Sequence, residues 1–192
     1  MIKNDRPKIV VVSDTHELHS AVYIPDGDVF IHCGDASFFG AELEDEDQFK
    51  EFNEFAGQLP HEHKLFVPGN HDFFSMKGLQ RIKKILTNFD TLIDSEIWID
   101  EYSFFGSAID YKTIISSVDV LISHEAPYGI LDGGFGSKAL LKSIHTFQPK
   151  YHLFGHAHSQ YGICQNGKTI HVNASICDEK YKPKNGAVVI YL

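Results

Sequence analysis

Ile9-Val10-Val11-Val12-Ser13-Asp14-Thr15-His16 is the stretch that decides the fold. An unbroken aliphatic run reads as a strand buried on both faces, and the polar residues behind it are delivered to the end of that strand. The pattern recurs four times. Residues 29–31 lead to Gly34-Asp35, and residues 65–67 to Gly69-Asn70-His71-Asp72. Residues 120–122 lead to Ser123-His124, and residues 153–154 to Gly155-His156-Ala157-His158. Five strand ends supplying carboxylate, amide and imidazole groups imply one shared site.

Working outward, strands are predicted over residues 8–13, 29–33, 64–67, 119–122, 151–154 and 187–191. A helix over 44–59 would turn Phe49, Phe52, Phe55, Ala56 and Leu59 to one face, and a second over 79–89 would turn Leu79, Ile82, Ile85, Leu86 and Phe89 inward. A third helix covers 138–147, stopped before Pro149. Strands 96–99 and 102–105 form a hairpin around Asp100-Glu101, and 161–164 and 168–172 form another around Asn166-Gly167, a dipeptide favoured in tight turns. Alternating βα units followed by hairpins predict an α/β protein with two mixed β-sheets face to face and helices on both outer sides. At 192 residues, with neither repeats nor a linker, residues 1–192 read as a single domain.

The formal net charge of −9 leaves little cation to neutralise phosphates, so no extended nucleic-acid-binding surface is expected. The acidic block Glu42, Glu44, Asp45, Glu46 and Asp47 reads as a solvated helix N-terminus. No apolar stretch is long enough to span a bilayer and no leader pattern is present. Cys33, Cys164 and Cys177 are widely spaced and odd in number. A reducing, cytoplasmic setting is therefore expected. The oligomeric state is not legible.

The clustered residues have a common chemistry. Imidazole suits manganese, iron, zinc and nickel, while carboxylate and amide oxygens suit manganese and magnesium. A mixed donor set favours a borderline first-row metal, manganese first, with iron, zinc, nickel or magnesium as alternatives. Two dications facing Asp14 and Asp35 keep a net positive charge, which attracts an anionic substrate and acidifies a bridging water. His71 is free for acid–base work, with Asp72 able to fix its tautomer. Among the remaining histidines, His32 and His152 alternate with apolar residues and read as core or supporting groups. His19, His61, His63, His145 and His171 read as surface residues. Phe38, Phe39, Phe73 and Phe74 follow ligand-bearing loops, and Phe38 and Phe73 are the candidate substrate-binding aromatics. Gly133-Gly134-Phe135-Gly136 lacks the Lys and spacing of a phosphate loop and reads as a turn.

The series D-x-H, G-D, G-N-H-D, H, G-H-x-H, in this order between Asp14 and His158, is similar to the calcineurin-like metallophosphoesterase superfamily. Three longer stretches resemble its metallophosphoesterase-domain-containing subgroup, described as phosphodiesterases acting on cyclic nucleotides. They are Ile24-Pro25-Asp26-Gly27-Asp28-Val29, Pro127-Tyr128-Gly129-Ile130-Leu131-Asp132 and Val172-Asn173-Ala174-Ser175-Ile176-Cys177.

The resemblance implies a four-layer αββα sandwich and a role for each residue. Asp14, His16 and His158 would hold one metal, Asn70, His124 and His156 the other, and Asp35 would bridge. A metal-bridging hydroxide would attack phosphorus, and His71, backed by Asp72, would protonate the leaving oxygen. The implied activity is a phosphodiesterase on a small phosphate ester, nucleotide or cyclic nucleotide. The alternatives are a phosphomonoesterase, a nuclease, or a non-catalytic protein-binding scaffold.

Two departures matter. Purple acid phosphatases of the same superfamily carry a metal-bound Tyr where this chain has Phe38, which points to two divalent ions. Relatives in the subgroup have a longer, tryptophan-containing loop where residues 108–118 run here, which points to a more open cleft.

Overall fold

A computed structural model describes residues 6–38, 46–108 and 117–192. In chain order the elements are β1 (Lys8–Val12), β2 (Val29–His32), α1 (Asp47–Gln58), β3 (His63–Phe66), α2 (Met76–Ile85), β4 (Asp90–Thr91), β5 (Ser95–Ile99) and β6 (Tyr102–Ser107). They continue with β7 (Val120–Ser123), α3 (Lys138–Phe147), β8 (Tyr151–Phe154), β9 (Gly162–Asn166), β10 (Thr169–Asn173) and β11 (Val188–Tyr191).

Two mixed sheets result. The first runs β11-β1-β2-β3-β4, antiparallel only between β11 and β1. The second runs β5-β6-β7-β8-β10-β9, parallel in the middle and antiparallel at both edges. The period-two alternation of side chains sorts the core into layers. Ile9, Val11, Ile31 and Leu65 face Phe104, Ile122, Leu153 and Val172 between the sheets. Val10, Val12, Phe30 and Phe66 point the other way, onto Phe49, Phe52, Ile82 and Leu86 of the α1/α2 layer. Phe105 and Leu121 pack on Leu140 and Ile144 of α3. The order is helices, sheet, sheet, helix: the four-layer αββα sandwich.

The helices have local causes. Ser75 caps α2 by accepting from Gly78 N at 3.3 Å. The second helix thus starts three residues before the predicted Leu79 and stops at Ile85 rather than Phe89. Asn53 of α1 explains the stop: its Oδ1 accepts from Asn88 N at 2.8 Å, and its carbonyl accepts from Asn88 Nδ2 at 2.9 Å. These bonds draw the chain off the helix while Phe89 still packs inward. The first helix begins at Asp47; Glu46 before it is 2.6 Å from Arg81 of α2. Glu42, Glu44 and Asp45 lie outside the described residues, as do Phe39 and most of the segment at 108–118.

The β5–β6 hairpin turns at Asp100-Glu101 as predicted, with Ile99 opposite Tyr102. The second hairpin turns one residue later than predicted. Asn166 pairs with Thr169, so Gly167 takes the first turn position at φ +61, where glycine avoids the Cβ penalty. Asp90–Thr91 is a short edge strand with no periodic signal. His145 is exposed and His63 half-buried, but His19, His61 and His171 are buried, contrary to the surface reading. His19 packs against Phe52 and Phe55, His61 against Phe30, and His171 meets His152.

Candidate metal centre

The five predicted clusters leave the C-terminal ends of β1, β2, β3, β7 and β8, the edge at which parallel sheets present binding groups. The loops turn sharply to converge. Asp14, His16, Asp35 and His156 all adopt positive φ, at 56°, 43°, 55° and 67°. Such conformations are rare for these residues and concentrate at functional sites. Gly155 makes the convergence sterically feasible, because a Cβ there would collide with the Ser13 and Asp14 side chains.

Two donor groups form. Asp14, His16 and His158 make one, and Asp35, His124 and His156 the other, each with ligand atoms within 4.8 Å of one another. Within the first, His158 Nε2 is 3.2 Å from Asp14 Oδ1 and 3.4 Å from His16 Nε2. Within the second, His124 Nε2 is 3.1 Å from Asp35 Oδ2 and 3.3 Å from His156 Nδ1. Asn70 Oδ1 joins the second group, 3.1 Å from His124 Nε2. Asp35 Oδ2 also lies 4.0 Å from His16 Nε2, so it faces both groups.

The tautomers show what these groups await. A carbonyl oxygen can only accept. His16 Nδ1 donates to Ser37 O at 3.2 Å, His124 Nδ1 to Cys33 O at 2.8 Å, and His158 Nδ1 to Asp178 O at 3.0 Å. In its neutral form each ring turns an unprotonated Nε2 toward the carboxylates. Lone pairs facing lone pairs and carboxylate oxygens are the expected setting for cations, with the backbone carbonyls orienting the imidazoles. The donor set therefore fits two divalent metal ions.

The metal-free electrostatics show the same demand for positive charge between the two carboxylates. Burial pushes the Asp14 carboxyl up, but the His158 hydrogen bond and the His124 charge hold it below the ordinary carboxylate value. Burial likewise opposes ionisation of Asp35, and the adjacent His124 charge brings it down. In the absence of metal, burial opposes protonation of His124, while Asp35 draws its pKa upward. Burial lowers His16 and His156, which suits neutral ligands.

Asp72 has a different job from the one its position beside His71 suggested. Its Oδ2 accepts from Asp35 N at 2.7 Å and Gly69 N at 2.8 Å, and its Oδ1 from Ser37 N at 3.0 Å. Three backbone donors fill a fully buried carboxylate, which braces the Asp35 loop against the Asn70 loop. Burial and the Asp35 charge push its pKa up against the pull of the Gly69 and Ser37 amides. His71 instead donates Nδ1–H to Phe38 O at 3.1 Å. Its tautomer comes from that carbonyl, so the expected His71–Asp72 pair is corrected.

The two candidate substrate aromatics have different surroundings. Phe73 packs against the core beneath α1 and α2. Phe38 stacks on the His16 ring, with centroids 4.7 Å apart. A cavity of about 280 Å³ opens over the donor groups, and its walls are His71, Ser159, Glu179 and two other aromatics, Phe135 and Tyr181.

Several supporting residues escaped sequence reasoning. Ser175 Oγ lies 2.8 Å from Asp14 Oδ2. Asn173 accepts from Ser175 N at 3.1 Å and donates Nδ2 to Ala157 O at 3.0 Å, tying the Asp14 loop to the His156–His158 loop. Asn173-Ala174-Ser175 is a sixth polar cluster at a strand end, legible by the rule that found the other five. Beside His124, Ser123 Oγ donates to Glu125 O at 2.8 Å and accepts from His152 Nε2 at 2.8 Å. His152 is thus a supporting group, as its position on β8 implied.

The αββα sandwich thus carries, at its strand ends, two adjoining carboxylate–imidazole groups able to hold a pair of metal ions. Residues 8–191 match the calcineurin-like phosphoesterase superfamily domain, and the chain belongs to that family. UPF0046 protein K07C11.7 of Caenorhabditis elegans is 34% identical over 96% of this chain and 75% of its own. Human metallophosphoesterase domain-containing protein 1 is 32% identical over 100% of this chain and 74% of its own. That alignment spans 246 positions against the 192 residues here, so the human relative carries additional residues. Among solved structures, TT1561 of Thermus thermophilus superposes with a TM-score of 0.59 at 13% identity, covering 88% of each chain, a likeness of fold. The chain is accordingly a hydrolase of the phosphoesterase class.

Proposed function

We propose that this chain, as a single domain over residues 1–192, hydrolyses a small phosphodiester, a nucleotide or cyclic nucleotide, using two divalent metal ions, manganese first among them. The observation that carries the reading is the tautomer set. Three imidazoles donate Nδ1–H to backbone carbonyls and turn Nε2 toward Asp14 and Asp35.

Asp14, His16 and His158 would hold one ion, Asn70, His124 and His156 the other, and Asp35 would serve both. Bound there, the pair supplies Lewis acidity, an activated water nucleophile and a clamp on the phosphoryl oxygens. The chain's own groups do the rest. Asp35, held by His71 N at 2.8 Å, keeps the two donor groups in register. Phe38 O fixes the His71 imidazole by accepting from Nδ1–H, and the ring, when it carries a second proton on Nε2, gives that proton to the departing oxygen at the cavity. No helix of the described residues is long and apolar enough to cross a membrane. The three free thiols suit a reducing cytoplasm.

Steady-state assays over cyclic nucleotides, linear diesters and monoesters, each with manganese, magnesium, zinc or nickel, test the reading. Diesters should turn over faster than monoesters, and manganese should support the highest rate. Absence of metal-dependent turnover on every ester would overturn it.

A further inference from the structure

Two surface turns beside the metal centre are built alike. In residues 129–136 the Asp132 carboxylate accepts from the backbone N–H of Gly129 at 2.7 Å, Gly134 at 3.1 Å and Gly136 at 3.1 Å. The Asp132 carbonyl accepts from Phe135 N at 3.0 Å. In residues 178–182 the Asp178 carboxylate accepts from Lys180 N at 2.8 Å and Lys182 N at 3.1 Å, and its carbonyl from Tyr181 N at 2.8 Å.

Each turn spends its polar groups on a defined backbone, and each presents one aromatic ring to the same cavity. Phe135 is 85% exposed. Tyr181 sits at φ +55, a costly conformation for a bulky residue, and its ring meets the edges of His16 and His158 at centroid distances of 4.8 and 5.2 Å. A tyrosine held at positive φ over a cavity is an outlier of the kind that clusters at functional sites, and Phe135 shares the same cavity wall.

We infer that Phe135 and Tyr181 are specificity-determining residues that hold the planar base of a nucleoside phosphate, while its phosphate faces the metal centre. This rests on the phosphoesterase reading above. The cavity, about 280 Å³, is at the small end for a ligand site and suits a compact ligand. Aromatic side chains recognise a base through its π-face. Glu179 shares the cavity wall, and the described residues lining it include no Lys or Arg. A polyphosphate tail reaching that side of the cavity would be repelled by the Glu179 carboxylate, which favours a single phosphate group. The Asp178 carbonyl that accepts from Tyr181 N also accepts from His158 Nδ1, so one turn positions both a metal-facing imidazole and a substrate wall.

The test is calorimetric titration of the manganese-loaded protein with AMP and with ribose 5-phosphate, which differ only by the base. AMP should bind at least about tenfold more tightly. Phe135→Ala should bring the ratio of the two Kd values toward one, and Tyr181→Leu should do the same with metal stoichiometry measured alongside. Trp98→Ala, an exposed aromatic that does not line this cavity, should keep the wild-type ratio. AMP binding no tighter than ribose 5-phosphate, including no measurable binding of either, overturns the inference. So does a ratio untouched by Phe135→Ala. Hydrolysis of bis(p-nitrophenyl) phosphate on the same samples separates the two ideas. Turnover without base selectivity sinks only the aromatic walls, and base selectivity without turnover sinks only the reaction.

Discussion

His71 donates its backbone N–H to Oδ1 of Asp35 at 2.8 Å, while Oδ2 of the same carboxylate faces His124 Nε2 at 3.1 Å. One carboxylate is thereby held on both sides, by the loop that carries the proposed proton donor and by the donor group of one metal ion. Its orientation is set before any substrate arrives.

Asp35→Asn keeps the shape and removes the charge that both donor groups share. Activity on a diester reporter should fall by at least about 100-fold, while circular dichroism shows the fold intact. Wild-type turnover in a preparation free of contaminating phosphatase would contradict the assignment.

Chelation should abolish turnover, and added manganese should restore it. Because ligands that bind only the folded state raise stability, the same titration should lift the Tm. A Tm that ignores manganese would show that the two donor groups do not bind it.

His71 and Asp72 are adjacent in sequence yet should fail differently. His71→Ala should lower kcat by about 10²–10⁴ with metal content unchanged. Asp72→Asn should instead lower the Tm, since an amide cannot accept from Asp35 N, Ser37 N and Gly69 N as the carboxylate does. A loss of about 1–3 kcal/mol is expected for the unmet hydrogen bonds. An Asp72→Asn protein with wild-type Tm and a kcat defect would restore the pairing with His71.

Burial depresses His19 and His171 to about 4 in the folded chain, against about 6.5 when unfolded. Between those values the unfolded chain binds more protons. Their contribution to stability is therefore full above pH 6.5 and declines as pH falls toward 4, by up to about 1.4 kcal/mol per pH unit for each ring. The change in urea midpoint between pH 7 and pH 5 should shrink in a His19→Gln, His171→Gln variant, and a pH dependence identical to the wild type would refute it.

The strand ends were legible because an aliphatic run followed by ligand residues is a local pattern, and each of the five runs forms a strand. The layered sandwich followed from alternation, as Val10 and Val11 show by packing on opposite sides of one sheet. Burial of His19, His61 and His171 was not legible, because a lone imidazole carries no periodic signal and its fate depends on distant chain. The same limit hid the partner of His71. Sequence adjacency favoured Asp72, yet tertiary geometry gives that carboxylate to three backbone amides and gives His71 to Phe38 O. Phe135 was missed for another reason: a glycine-rich turn reveals its backbone freedom but not the cavity it overlooks.

The twin aspartate-centred turns separate two kinds of change available to this chain. Each is closed by its own carboxylate, and the rings they carry belong to neither donor group. Replacing Phe135 within its turn leaves Asp14, Asp35 and the imidazoles in place, so the range of esters accepted can drift while hydrolysis persists. Tyr181 is less free, because its turn also holds His158. Divergence within such a lineage should therefore begin at the Asp132 turn and reach the Asp178 turn late, leaving a record of which specificity came first.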